Sequence, residues 1–308
     1  MYGTSKSLTW VAINGAPSIR AKEIVYTPPT VDPDAAPKAE GPGAAPKSFN
    51  VLRANLYFQS GEISFEVHRK SGDSLCQIIL NAGLEREIFV GLGLRASTYI
   101  IAGFRASKWE PIASAGWDVP PREGEWIKVH IRVIGSTIEL SVDGVRVLTG
   151  TAIIEKSQLG LFLSGPEEVR ARNIEVNEQR PQAFVVMQFT EEFDTLYREV
   201  IKPTCESFGY ECIRADDVYK NGLIITDITS SIRAASVVVA DITPNNANVF
   251  YEVGYSHAIM KPTILLAEKG RDLPFDVSAF RTVFYENTIG GKTLVEERLR
   301  KHLTGLLN

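Results

Sequence analysis

The sequence predicts two domains of different fold class: an all-β sandwich or jelly roll over residues 1–178, and an α/β domain with a parallel sheet over residues 183–308. In the first part, apolar and polar residues alternate with period two in many short segments, which is typical of half-buried strands. In the second part, short apolar strands alternate with segments of helical periodicity. The polar stretch at residues 177–182 contains a proline and is predicted to be the linker.

The clearest strand of the first domain is predicted at residues 127–133, where Ile and Val alternate with Lys, His and Arg. The dipeptide Asp143-Gly144 separates two further alternating segments and predicts a hairpin turn. Many short strands with turn signals between them favour a sandwich. The segment Thr27–Lys47 is rich in Pro, Ala and Gly and is predicted to be a long exposed or partly disordered loop. Other strands are expected near residues 8–11, 62–67, 77–80, 87–92, 99–104, 138–142, 145–147 and 159–163.

The second domain is predicted to alternate strands with helices, which implies a parallel sheet covered on both faces. A long helix is expected over residues 192–208, kinked by Pro203 and ended by Gly209. Further helices are expected around residues 224–232, from about Asn248 onward, and over residues 294–307. Strands are predicted at residues 183–187, 210–213, 237–240, 263–267 and 282–285.

Composition excludes several classes of function. The net charge of −4 argues against broad polyanion binding, and no apolar run reaches the length of about 20 residues that spans a bilayer. The N-terminus lacks the long apolar segment of a secretory signal. The three cysteines are scattered without metal-ligand spacing, which argues against a zinc site or a disulfide framework. We therefore expect a cytoplasmic protein with no membrane partner and no metal.

Two carboxylates stand out between residues 237 and 266, where the pattern predicts a strand, a loop, a helix and a second strand. Asp241 ends the first strand, and Glu252 lies in the first turns of the helix. Because ligands bind beyond the carboxyl ends of parallel strands, both side chains are expected to face one crevice. The helix N-terminus is expected to keep Glu252 ionised near neutral pH. Asp227, in the preceding predicted helix, is the candidate partner.

Such carboxylates suit chemistry at a glycosidic bond. An ionised carboxylate can attack an anomeric carbon or stabilise an oxocarbenium ion, and a protonated one can assist the leaving group. Asn245, Asn246 and Asn248 are candidates for capping the helix or for binding sugar hydroxyls. Tyr255 is a candidate ligand contact, with packing as its alternative. The carboxylates also have plain alternatives, because Glu252 and Asp227 would be unremarkable on an exposed helix and Asp241 could merely shape its loop.

The stretch DITSSIRAASVVVADITPNNANVFYEVGYSHAIMKPTILL, at residues 227–266, together with the opening strand AFVVMQF, resembles the nucleoside 2-deoxyribosyltransferase-like superfamily, a relative of TIR domains. The resemblance covers residue 183 to the C-terminus. It implies a flavodoxin-like fold and cleavage or transfer at the N-glycosidic bond of a nucleoside, a nucleotide or NAD. That molecule would be the substrate, and no separate cofactor is implied.

The same resemblance implies roles for individual residues. Glu252 would be the nucleophile, and Asp227 and Asp241 would orient the substrate. Gln188, which ends the first strand, and Gly222, in the loop before the Asp227 helix, would contact the substrate. Deoxyribosyltransferases commonly place a tyrosine where this chain has Met187-Gln188-Phe189, so deoxyribose specificity does not carry over. Deoxyribosyltransferases complete their sites across subunits, so the resemblance to them makes a homo-oligomer an expectation for this chain.

The first domain resembles concanavalin A-like lectin or laminin-G-like sandwiches. The segments behind this are Gly61-Glu62-Ile63, Gly124-Glu125-Trp126, Val142-Asp143-Gly144 and Leu159-Gly160-Leu161. The resemblance is architectural and implies no ligand by itself. In an enzyme, this domain would sense a ligand, recruit a protein or glycan partner, or drive assembly.

Three functions remain open from the sequence, and it favours the first, an enzyme acting at an N-glycosidic bond. The second is a non-catalytic module that binds a nucleotide-like signal. The third is a glycan-binding lectin whose α/β domain is an assembly platform.

Overall fold

The structure is a computed structural model that describes residues 8–20, 22–29, 48–94, 97–119, 121–215, 224–270 and 282–305. The chain divides into two compact units. The first, called here the sandwich unit, comprises Met1–Val133, Ile138–Ala152 and Lys156–Glu178. The second, the α/β unit, comprises Ile134–Thr137, Ile153–Glu155 and Gln179–Asn308. Most of the predicted loop Thr27–Lys47 and the candidate Gly222 lie outside the described residues.

The sandwich unit contains two seven-stranded sheets, as its alternating pattern predicts. Sheet A has the order β1-β4-β13-β6-β7-β8-β9, and sheet B has the order β12-β11-β10-β5-β14-β3-β2. The paired strands within both sheets are antiparallel. The strands are β1 (Trp10–Asn14), β2 (Ser18–Arg20), β3 (Glu23–Tyr26), β4 (Phe49–Phe58), β5 (Gly61–Arg69), β6 (Leu75–Ala82), β7 (Arg86–Leu92), β8 (Tyr99–Arg105), β9 (Lys108–Ala115), β10 (Trp126–Ile134), β11 (Thr137–Val142), β12 (Val145–Thr151), β13 (Ser157–Ser164) and β14 (Val169–Glu178).

The period-two pattern determines which side chains enter the core. In β10, Ile127, Val129 and Ile131 are buried, whereas the charged residues between them stay at least partly exposed. Asp143 and Gly144 both have positive φ, +48° and +81°, which is the conformation that a two-residue hairpin turn needs. The turn between β11 and β12 therefore follows directly from the sequence.

One buried cation stabilises the connections of the sandwich unit. Arg69, at the end of β5, is only 1% exposed. Its guanidinium donates hydrogen bonds to the carbonyl oxygens of Ser74 at 3.0 Å, Gly93 at 2.9 Å and Arg122 at 3.3 Å. Because these carbonyls belong to three separate chain segments, Arg69 joins them at a single point.

The α/β unit contains sheet C, a five-stranded sheet with the order β16-β15-β17-β18-β19. All of its strand pairs are parallel, and in sequence order the strands run 2-1-3-4-5, one of the two common doubly wound arrangements. The strands are β15 (Gln182–Val186), β16 (Glu211–Arg214), β17 (Val237–Asp241), β18 (Thr263–Glu268) and β19 (Thr282–Tyr285). The helices are α1 (Glu191–Leu196), a π-helical turn (Tyr197–Ile201), α2 (Lys202–Ser207), α3 (Ile224–Ala234), α4 (Ala247–Ala258) and α5 (Ile289–Gly305).

Both faces of sheet C are buried, which confirms the predicted parallel sheet with helices. On one face, called here the α5 face, Val185, Val239 and Leu266 pack with residues of α1, α2 and α5. On the other, the α4 face, their sequence neighbours, such as Val238 and Leu265, pack with α3 and α4. Continuous apolar strands fit this arrangement, because successive side chains enter opposite cores.

The predicted long helix forms, but Pro203 does not simply kink it. A proline cannot donate to the carbonyl four residues earlier, and its ring clashes with that carbonyl. The turn that precedes it widens to a π-helical turn, in which the N–H of Lys202 bonds to the carbonyl oxygen of Tyr197. The helix therefore runs on to Ser207 through a local change of pitch.

Candidate functional site

Asp241 lies at the carboxyl end of β17 and is fully buried. One carboxylate oxygen accepts from the backbone N–H of Thr243 at 2.8 Å, and the other accepts from the hydroxyl of Tyr285 at 2.7 Å. The Thr243 hydroxyl lies 2.9 Å from the Tyr285 hydroxyl and accepts from the N–H of Glu268 at 2.9 Å. Asp241 therefore ties together the ends of β17, β18 and β19.

Burial dominates the electrostatics of this cluster. Loss of hydration raises the pKa of Asp241 above its ordinary value, although the bonds from Thr243 and Tyr285 act in the opposite direction. Burial also raises the pKa of Tyr285, and the nearby Asp241 carboxylate adds to that effect. The Tyr285 hydroxyl therefore stays protonated and acts as a hydrogen-bond donor in the cluster.

Glu252 is the other buried carboxyl of this region. It lies on α4, is 8% exposed, and shares the buried side of the helix with Val249, Val253 and Ser256. Among the residues that the structure describes, no side chain or N–H group bonds to its carboxylate. Burial alone raises the pKa of Glu252 from 4.5 to about 7. A carboxyl with this pKa is present in both protonation states at neutral pH, as acid–base catalysis requires.

Two sequence expectations need correction here. The expectation that Glu252 stays fully ionised near neutral pH is not met, because loss of hydration on burial raises its pKa to about 7. The expectation that Asp241 and Glu252 face one crevice is not met either. Asp241 bonds to Tyr285, which belongs to the core of the α5 face, whereas the helix of Glu252 packs on the α4 face.

Asp227 is better placed than Asp241 to act with Glu252. It lies in the first turn of α3 and is half-buried, and α3 packs against α4 on the α4 face. Both helices follow loops that leave the carboxyl edge of sheet C, so their first turns share that edge. The structure thus places these two carboxyl-bearing helices side by side.

Gln188, Asn245, Asn246 and Asn248 follow the carboxyl ends of β15 and β17, whereas Tyr255 lies farther along α4 and Gly222 is not described. Asn246 caps α4, since its side-chain oxygen accepts from the N–H of Asn248 at 2.9 Å. Asn245 and Asn248 are exposed, and Gln188 is half-buried just after β15. Tyr255 is half-buried and packs against the core of the α4 face, which agrees with its packing alternative. Capping is thus the observed role of Asn246.

Sequence reasoning missed a cationic group beside Gln188. Arg214 ends β16, and its guanidinium carbon lies 5.2 Å from the ring centre of Phe189 and 4.6 Å from that of Tyr197. Its guanidinium also bonds to Asp194 at 2.5 Å. Phe189 is 50% exposed and follows β15, the strand between β16 and the central strand β17. An exposed ring beside an arginine is a suitable surface for a planar base, and the strand-end positions of both residues were the available signal.

The sandwich unit carries a polar hollow of its own. A depression of about 400 Å³ lies on the outer face of sheet B, lined by parts of β5, β10 and β14. The pairing of β14 with β5 shifts between Arg172 and Glu175, and such a bulge re-aims side chains locally. At its edge, the Arg172 guanidinium stacks 3.7 Å from the ring centre of Trp126. The polar side chains lining the hollow are Ser64, Glu66, Lys128, His130, Asn173 and Glu175.

The described residues contain neither a metal-ligand cluster nor a membrane-spanning helix. No group of three or more His, Cys, Asp or Glu side chains there is arranged to hold a metal ion. Of the helices described, none combines the length and the apolar character needed to cross a membrane.

Comparison with known proteins finds remote structural likeness only. No protein-family model matches the chain, and no curated protein matches it. A carbohydrate-binding module (CBM66) from Bacillus subtilis is 11% identical, with a TM-score of 0.42, over 56% of this chain and 96% of its own. A β-glucanase from Bacillus licheniformis is 13% identical, with a TM-score of 0.38, over 58% and 95% of the two chains.

A third similar structure is a Bacillus subtilis protein of unknown function with a galectin-like fold. It is 10% identical, with a TM-score of 0.39, over 56% of this chain and 90% of its own. All three similarities are too remote to indicate a ligand or a reaction for this chain.

Proposed function

We propose that the α/β unit cleaves, or transfers at, the N-glycosidic bond of a nucleoside, a nucleotide or NAD, with Glu252 as the reactive carboxyl. One observation carries the proposal. Glu252 is a nearly buried carboxyl whose pKa is raised to about 7, and no described residue compensates its charge. Leaving such a group in a core costs stability, so its presence favours a functional role over a structural one. The flavodoxin-like strand order supports a ligand at the edge where α4 begins.

The reaction breaks the bond between the anomeric carbon and a ring nitrogen of the base, and the bonding electrons leave with the base. Ionised Glu252 attacks the anomeric carbon or stabilises its positive charge. Water or a second base then forms the new bond at that carbon, loses a proton to Asp227 or to solvent, and releases Glu252. A neutral nucleobase must gain a proton as it leaves, whereas cationic nicotinamide leaves neutral without one. Asp227 is the candidate proton donor or sugar ligand.

The other residues act around this centre in the proposal. Asp241 is a positioning residue, because its bonds to Thr243 and Tyr285 hold the start of the loop that leads into α4. Phe189 offers an exposed ring for stacking a base, and Gln188 offers amide groups for the base or sugar edge. Asn245 and Asn248 are exposed and available to sugar hydroxyls.

The test is to incubate the full chain with NAD and a panel of ribo- and deoxyribonucleosides and nucleotides, and to measure released base by chromatography. We expect release from at least one substrate, and we expect Glu252→Gln to lower its rate by about 1,000-fold or more. Glu297→Gln, at an exposed position of α5, is the matched control and should leave the rate unchanged.

The same panel distinguishes an enzyme from a binding module. Tight binding of one panel member by calorimetry, with no base released by the wild type, would favour the non-catalytic reading. If no panel member is bound and no base is released, the result counts against any nucleotide function. The predicted homo-oligomer is tested separately by light scattering with and without ligand.

A second candidate function is glycan binding by the sandwich unit, and the hollow on sheet B favours it. Carboxylate, amide, ammonium and hydroxyl groups converge there, which is chemistry suited to sugar hydroxyls. The ring of Trp126 beside it gives an apolar surface of the kind that sugars stack on, although Arg172 already covers part of it.

A glycan array followed by calorimetry tests this candidate. Binding that is lost in Lys128→Ala and Glu175→Gln, both in the hollow, would support it. Lys156→Ala, outside the hollow lining, serves as the control. Binding that survives both substitutions would place the glycan elsewhere.

A further inference from the structure

A second cavity of the α/β unit lies on the α5 face of sheet C, away from the face on which the Glu252 helix packs. Its volume is about 450 Å³, within the range of small-molecule sites. It opens between α1, the π-helical turn, α5 and the end of β19. Its apolar lining consists of Phe193, Leu196, Val200, Tyr285 and Val295.

The opening of this cavity carries an excess of negative charge. Three carboxylates line it, those of Glu192, Glu199 and Glu286, but Glu286 is already paired with Lys269 at 2.6 Å. Lys292 is already paired with Glu199 at 3.1 Å. Among the described residues, Glu192 is therefore the lining carboxylate without a cationic partner, and it accepts a neutral amide hydrogen bond from Asn287 at 2.8 Å. An apolar cavity beneath carboxylates is complementary to a cation that carries an apolar body.

The π-helical turn contributes directly to the cavity. It supplies Val200 to the apolar wall and Glu199 to the opening. Such a turn widens the helix locally, and turns of this kind recur at functional sites. Pro203 accounts for the formation of the turn, and the widened turn forms part of the cavity wall.

We propose that this cavity binds a small organic cation with an aromatic or branched apolar body. The body lies against Phe193, Val200 and Tyr285, and the ammonium group lies at the carboxylate of Glu192. Tyr285 connects this site to the strand ends, because its ring lines the cavity while its hydroxyl donates to Asp241 at 2.7 Å. A bound cation therefore contacts the residue that holds the loop between β17 and α4. The site does not depend on the reaction proposed at Glu252.

The test uses three probes of nearly equal shape and different charge: phenethylamine, phenethyl alcohol and hydrocinnamate. Binding to the full chain is measured by saturation-transfer NMR and calorimetry. A ligand of this size in a cavity of this kind has a Kd of about 1 mM. We expect the amine to bind about tenfold more tightly than the alcohol, and the carboxylate to bind least.

Two variants localise the binding. Glu192→Gln should remove the amine's advantage while leaving the alcohol's affinity unchanged. Thr195→Trp, at an exposed lining position, should block all three probes. Glu297→Gln, exposed on the same helix as Lys292 but outside the cavity, should change nothing.

Several outcomes would overturn the proposal. These are no amine binding at about ten times the expected Kd, equal affinity for the amine and the carboxylate, or an amine preference that survives Glu192→Gln. Because each readout is binding and not turnover, failure here is distinct from failure to release a base.

Discussion

The buried carboxyl of Glu252 makes the stability of the α/β unit depend on pH in a defined direction. Its pKa is about 7 in the folded chain and 4.5 in the absence of burial. The folded protein therefore keeps this proton between those pH values, while the unfolded chain loses it. As pH rises, stability falls wherever the folded state holds more protons than the unfolded chain. Glu252 therefore destabilises the unit progressively as pH rises from about 4.5 to about 7.

The size of the effect follows from the same two values. A pKa that moves from 4.5 to about 7 corresponds to about 3 kcal/mol at pH above 7. Glu252→Gln cannot ionise, so it removes this penalty. We expect the variant's free energy of unfolding, relative to the wild type's, to rise by about 3 kcal/mol as pH increases from about 4 to about 8. Almost all of this rise should be present by pH of about 7.

The assay is urea unfolding at several pH values, followed by two signals. All four tryptophans lie in the sandwich unit, whereas every helix among the described residues lies in the α/β unit. Tryptophan fluorescence therefore reports on the sandwich unit, and helical circular dichroism reports on the α/β unit. The dichroism transition alone should respond to Glu252→Gln, and the exposed control Glu297→Gln should not reproduce the response. A wild-type-to-variant difference that is the same at pH of about 4 and about 8 would refute the reasoning.

Three further substitutions test the structural account. Tyr285→Phe removes a donor from the buried Asp241 carboxylate and should lower the stability of the α/β unit by about 2 kcal/mol, measured by helical circular dichroism; no loss would show that this bond is not formed. Arg69→Met leaves three backbone carbonyl groups without their donor and should cost the sandwich unit at least about 3 kcal/mol, read from tryptophan fluorescence. Gly144→Val forces a β-branched residue to φ of +81° and should cost about 1–2 kcal/mol in the same assay, whereas Gly144→Asn should be nearly neutral.

The sequence was sufficient for most elements because their apolar periods are local. The strand predicted at residues 282–285 is observed as β19 with the same ends, and the strand predicted at residues 237–240 extends by one residue to Asp241. Helix α5 begins at Ile289, earlier than the predicted residue 294. The first turn contains Gly290 and Gly291, which have poor helix propensity, and Lys292 bonds there to Glu199. Tertiary contacts thus extend a helix that local preference would start later.

The candidate site was harder to predict because it depends on register and on what covers each helix. Asp241 and Tyr285 meet across two strand pairings, and the pattern within a single strand does not fix register between strands. The burial of Glu252 did have a signal. It lies three residues after Val249 and four before Ser256, within the stripe of α4 that faces the core. Glu252 is the sixth residue of α4, beyond the first turn in which the helix dipole acts, so burial determines its pKa.

The central claim is that Glu252 is the reactive carboxyl of an N-glycosidic site, and the pH dependence of base release tests it most directly. The kcat/KM for the best panel substrate, measured from pH of about 5 to about 9, should change with an apparent pKa of about 7 that belongs to Glu252. In Glu252→Gln that pH dependence should disappear together with nearly all activity. Base release that persists in the variant with an unchanged pH profile would contradict the claim.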